Sequence, residues 1–145
     1  MIYTSRAGAN DMPGYSGTPL PKKLGIKDGF RVLLSDPPAE VRTELKDALS
    51  GCAMQKTPTG LLDFAMIFTK SRAHLTKEFA RTAKPLVPAG ILWVSWPKKS
   101  SGVATDLDEN VVREIGLAAG LVDVKVCAVT DVWSGLKFVR RVKDR

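Results

Sequence analysis

Two lysines, two serines and a glycine stand together in the stretch Trp96-Pro97-Lys98-Lys99-Ser100-Ser101-Gly102. Lysine neutralises an anion, hydroxyls bond its oxygens, and glycine lets the chain turn tightly beside it. A strand-like run, Ile91–Trp96, precedes this loop and an acidic helix start comes after it. Strand, basic loop and helix is a layout that holds phosphates in many proteins. The residue order is nevertheless not that of a P-loop, which needs Gly-Lys-Ser/Thr after a glycine-led turn. The helix behind the loop also carries its own caps, Thr105 or Asp106, with Asp108 or Glu109 three residues on. Its N–H groups are therefore expected to be occupied, and any anion would be held by Lys98, Lys99 and the serine hydroxyls.

Other chemistry finds little support. His74 is the single histidine, and no spacing gives it the serine and carboxylate partners of a hydrolytic triad. His74 and Glu78 are four residues apart on a helix flank and read as a solvated pair. Cys52 and Cys127 lie in apolar surroundings without a Cys-x-x-Cys spacing, so both read as reduced core residues. No catalytic residue, metal site or cofactor is assigned on these grounds, and the reading leans away from an enzyme.

The elements that must position the basic loop are set by periodicity. Thr18-Pro19 starts a short turn of helix anchored by Leu20 and Leu24, and Gly25 ends it. Phe30–Ser35 reads as a buried strand. Asp36–Gly51 reads as a helix with Asp36 as its cap and Val41, Leu45, Ala48 and Leu49 inward. Cys52–Thr57 reads as a short second strand, and Leu61–Thr69 as a strong one. Ser71–Leu86 is a helix with a stripe at Leu75, Phe79, Ala83 and Leu86, leading into a turn at Val87–Gly90. A helix from about Thr105 to Gly120 turns Val111, Val112, Ile115 and Ala119 inward. Val122–Thr130 and Gly135–Val142 are strands joined through Asp131–Gly135 as an antiparallel hairpin. Alternation of this kind builds a Rossmann-like α/β sandwich of three layers, with a mostly parallel sheet and a C-terminal antiparallel hairpin.

The chain has 145 residues, 44% of them hydrophobic and 26% charged, which suits one domain with a real core. Residues 1–13 are polar and expected to be disordered, leaving residues 14–145 as the domain. No apolar run approaches the ~18 residues of a membrane span, and the N-terminus lacks a secretory core. A cytoplasmic location is the default expectation. The net charge of +7 suits an acidic small molecule or an acidic protein partner. The excess is dispersed along the chain, so nucleic-acid binding is the weaker reading.

In a parallel sheet, the loops after the strands share one edge, and ligands bind there. That edge is expected to gather Asp36, Lys70, Arg72, Trp96, Lys98, Lys99, Ser100, Ser101, Gly102 and Trp133. Basic, hydroxyl and indole groups would then converge from separate loops. The plainer reading is that the lysines are solvated and the two indoles plug the core.

Two stretches resemble a bacterial domain of unknown function: Gly14–Val32, which opens with Gly-Tyr-Ser-Gly-Thr-Pro, and Leu92–Arg141, which contains Trp-Pro-Lys-Lys. That resemblance implies no catalytic residue. The passage Leu62–Phe68 with Leu86–Trp96, and the closing hairpin, resemble class I S-adenosylmethionine-dependent methyltransferases. This second resemblance implies sheet order 2-1-3-4-6-5 with strand 6 antiparallel, in a shortened version of that scaffold. Such enzymes place a glycine-rich turn after the first strand. Here that turn is Ser35-Asp36-Pro37-Pro38, and no acidic residue is clearly placed after strand two to hold a ribose. The expectation is a non-catalytic binding or regulatory module. A small enzyme with an atypical nucleotide-type cofactor site and a nucleic-acid-binding protein are the alternatives.

Overall fold

The computed structural model describes residues 17–145. The expectation for residues 1–13 lies outside the described residues. Five strands run parallel and one opposes them, because each parallel crossover needs a helix or long loop while the last two strands are joined directly. The elements in chain order are α1 (Leu20–Leu24), β1 (Arg31–Ser35), α2 (Ala39–Leu49), β2 (Ala53–Gln55), β3 (Leu62–Phe68), α3 (Arg72–Ala83), β4 (Leu86–Pro97), α4 (Glu109–Ala118), β5 (Leu121–Ala128) and β6 (Trp133–Arg140). The sheet order is β2-β1-β3-β4-β6-β5, with β6 antiparallel to both of its neighbours. Fold class and strand order match the expectation.

Helices cover both faces, and each face has its own core. Leu33, Ala65, Ile67, Leu92, Val94, Leu136 and Phe138 meet α3 and α4 on one side. Val32, Phe64, Met66 and Trp93 meet α1 and α2 on the other. Successive residues of β1, β3 and β4 therefore alternate between two buried faces, which is why these strands show little polar alternation. Burying a residue such as Leu75 or Val94 contributes about 1.5–3 kcal/mol each. Trp93 is fully buried and its indole N–H donates to the Leu24 carbonyl at 2.8 Å. That bond satisfies a polar group that would otherwise be costly, and it pins α1 to the sheet. Gly116 lets α4 approach the sheet closely: a Cβ there would run into the Phe138 ring.

Local details differ from the periodicity reading at several points, among them α3, which ends at Ala83 so that Leu86 opens β4, and Ala119, which is exposed. Asp36 does not cap α2; the cap position is Pro38, with no side-chain bond, and Asp36 takes a left-handed φ of 55°. The two prolines push the helix start to Ala39 and leave Asp36 to make the turn. Val87–Gly90 belongs to β4 as a bulge, since Leu86 pairs with Leu62 while Ile91 pairs with Phe64. The cap of α4 is Asp108, whose carboxylate accepts from the Val111 N–H at 2.8 Å, and not Thr105 or Asp106. β6 starts at Trp133, two residues earlier than expected, because Val132 and Trp133 N–H both bond the Thr130 hydroxyl and close a tighter turn.

Candidate anion site at the carboxyl edge of the sheet

Because β1, β3 and β4 are parallel, Ser35, Thr69 and Pro97 end on one edge. The antiparallel β6 begins there, and the Lys98 N–H donates to the Val132 carbonyl at 2.8 Å. The loops after β3 and β4 are tied to each other. The Thr105 hydroxyl donates to the Lys70 carbonyl at 2.6 Å, and the Arg72 N–H donates to Asp106 Oδ1 at 2.8 Å. Thr105 and Asp106 thus hold one loop against the other instead of capping their own helix. The pinned loops carry Lys70 and Arg72 on one side and Lys98 and Lys99 on the other. Lys70, Arg72 and Lys99 are exposed and Lys98 is half-buried.

The loop after β4 folds as a 3-10 turn over Lys99–Ser101, ended by Gly102 at a φ of 76° that favours glycine. The Ser101 hydroxyl donates to the Lys98 carbonyl at 2.6 Å and accepts from the Val103 N–H. Its proton is therefore committed to the turn, and Ser100, which is exposed, carries the hydroxyl open to an anion. The two indoles do not meet. Trp96 is 5% exposed and packs in the α3–α4 core. Trp133 is half-buried on the opposite face, with its ring edge-on to Phe68 at 5.5 Å. Trp96 therefore serves the core, while Trp133 keeps some surface at the edge. Asp36 is exposed at the end of β1 and separated from the β4 loop by β3.

Helix starts along this edge offer few donors. Pro37 and Pro38 have no N–H, and Glu40 adds a negative charge to the first turn of α2. At α3 the Ser71 hydroxyl accepts from the His74 N–H, and Asp106 takes that of Arg72. At α4, Asp108 fills the same role. An anion at this edge must be held by side-chain cations. β2 ends at Gln55 and Lys56 is next in the chain, so no carboxylate stands after it for a ribose. With the proline turn after β1, these residues do not fit S-adenosylmethionine in the pose that the methyltransferase resemblance implies.

The structure also joins residues that spacing did not. The Ser35 hydroxyl donates to Glu78 Oε2 at 3.2 Å, and Arg81 donates to Glu78 Oε1 at 2.6 Å. The Arg81 guanidinium holds the Glu78 carboxyl below its usual range against the opposing effect of burial, with further help from Ser35 and the nearby His74. Glu78 is thus an ionised acceptor and is poorly suited to donate a proton. His74 pairs through Nδ1 with the Thr69 hydroxyl at 2.8 Å. Both residues of the expected solvated pair are half-buried and bonded to strand ends. The sequence signal for this was the shared flank of α3; the partners Ser35 and Thr69 require the strand order. Lys137, in β6, is a second residue that spacing did not single out. Burial pushes its pKa below the usual lysine value, and Lys125 and Lys27 add to that. Among the described residues, no group of three or more His, Cys, Asp or Glu side chains can hold a metal ion. No helix among them is long and apolar enough to cross a membrane.

The fold has relatives among solved structures. A magnesium protoporphyrin IX methyltransferase from Synechocystis, solved with bound S-adenosylmethionine, superposes with a TM-score of 0.55 at 12% identity, covering 84% of this chain and 74% of that one. A methyltransferase dependent on the same cofactor from Aquifex aeolicus gives 0.53 at 16% identity, covering 81% and 85%. The fibrillarin pre-rRNA processing protein of Methanococcus jannaschii gives 0.52 at 13% identity, covering 79% and 68%. At these identities the likeness establishes a methyltransferase-like Rossmann fold. No protein-family model matches the chain, and no curated protein sequence matches it.

Proposed function

We propose that this chain is a non-catalytic binding or regulatory module on a methyltransferase-like scaffold, and that it takes an acidic or phosphorylated ligand at the carboxyl edge of the sheet. The observation that carries the reading is the tie between the two basic loops. Thr105 and Asp106 fix the backbone at Lys70 and Arg72, so the cations after β3 and β4 are presented from a held frame. A held frame loses less conformational freedom on binding than free loops do. The reading departs from the cofactor of the similar enzymes for a local reason. The turn after β1 has two prolines and an aspartate where close backbone approach to a cofactor is needed.

Thermal unfolding with added ligand tests this, because a ligand that prefers the folded state raises the midpoint. Pyrophosphate is expected to raise it and S-adenosylmethionine to leave it unchanged. The rise should shrink in the Lys98→Ala, Lys99→Ala double variant. A midpoint raised by micromolar S-adenosylmethionine, or a pyrophosphate effect untouched by the double variant, would overturn the reading.

A further inference from the structure

A groove of about 640 Å³ lies between α2, the end of β1 and the short edge strand β2, apart from the loops after β3 and β4 that carry the rim cations. Leu34, Leu49 and Met54 give it an apolar lining, and Arg42, Lys46 and Lys56 bring three cations to it. Neither Asp nor Glu lines it. None of the three cations forms a salt bridge within the described residues. Met54 is 48% exposed on the groove wall, so a large apolar side chain faces solvent beside three unneutralised charges.

The charge pattern of α2 deepens this. At 3.6 residues per turn, Glu40, Glu44 and Asp47 share one flank of the helix, and Arg42 and Lys46 share the other. The buried Val41 and Leu45 run between the two flanks. Two like charges four residues apart repel, and a cation in the first turns opposes the helix dipole. An arrangement chosen only for helix stability would interleave the signs. Here the acids are segregated away from the groove and the bases toward it.

We infer that this groove is a binding site for a phosphomonoester carried on an apolar body. Three cations without a carboxylate exceed what a single carboxylate ligand needs and suit a group that is close to doubly charged at neutral pH. Leu34, Leu49 and Met54 would cover the apolar portion, while Arg42 offers a forked donor pair to the phosphate oxygens. Compact inorganic phosphate satisfies only half of the site.

The test is an amide-resolved NMR titration of the full chain with phenyl phosphate and, in parallel, with inorganic phosphate. Phenyl phosphate should shift the amides of Arg42, Lys46, Ser50, Gln55 and Lys56 saturably, with an affinity at least tenfold above that for inorganic phosphate. Arg42→Gln with Lys46→Gln should weaken it at least tenfold. Lys56→Gln, outside the helix, should weaken it as well and keeps the test valid if the helix variant unfolds. Lys98→Ala with Lys99→Ala should leave it unchanged, which separates this site from the rim. Shifts confined to residues 98–102, equal affinity for the two probes, or no saturable shift at millimolar concentration would each overturn the inference.

Discussion

The rim and the groove are both basic, yet they are built differently. At the rim, Lys70, Arg72, Lys98 and Lys99 stand on two loops, and Asp106 and Asp108 stand among them as structural acceptors. In the groove, Arg42, Lys46 and Lys56 sit beside an apolar lining with no acid. The rim can attract a compact anion through charge, which salt screens. The groove can also read what the anion is attached to, because burying apolar surface adds roughly 25 cal/mol per Å². Both are net positive; the surroundings of the cations distinguish them.

Substitutions that separate these regions should differ in size. The largest effect belongs to Trp96, which the sequence left open between rim and core and the structure places in the core. Trp96→Ala should cost about 3–5 kcal/mol in urea unfolding, and Trp133→Ala should cost less because its indole is only half-buried. Equal costs for the two would mean that Trp96 is not the core plug described. Next, Lys98→Ala with Lys99→Ala should weaken pyrophosphate about tenfold by calorimetry, about 1.4 kcal/mol. It should leave phenyl phosphate in the groove alone. Thr105→Val removes the bond to the Lys70 carbonyl and should cost about 1 kcal/mol of stability. It should also loosen pyrophosphate at the rim, while groove binding stays constant.

The smallest effect is in the acid limb of stability. Arg81 holds Glu78 below its usual range, and Arg31 does the same for Asp63 through paired hydrogen bonds at 2.8 and 3.1 Å. For a carboxylate whose folded pKa is depressed, the stabilisation is present above the unfolded pKa and is lost as pH falls through the folded one. Stability should therefore drop as pH falls below the ordinary carboxylate range. The drop should be shallower in Glu78→Gln and in Asp63→Asn, as followed by urea midpoints against pH. An unchanged acid limb in both variants would show that these pairs do not couple folding to protonation.

Fold class was legible because buried strands, turn residues and helical stripes alternate along the chain; the sheet order came from the resemblance to methyltransferases. The candidate site was legible only as composition. Lys98, Lys99 and Ser100 could be found in sequence, but Ser101 turned its hydroxyl inward to its own loop. The roles of Thr105 and Asp106 depended on a partner loop more than thirty residues away. Local spacing offered both as caps, a reading that tertiary contact overrode. Trp96 and Trp133 were also undecidable by spacing, since which face of a sheet a residue meets depends on register. The groove escaped notice because its walls come from α2, the end of β1 and a three-residue strand, each ordinary by itself.

The most direct test of the rim is an amide-resolved NMR titration with pyrophosphate. Saturable shifts are expected at Lys70, Arg72 and residues 98–102, lost when Lys98 and Lys99 are both alanine. Amides at those positions that stay fixed through millimolar pyrophosphate would contradict a binding rim.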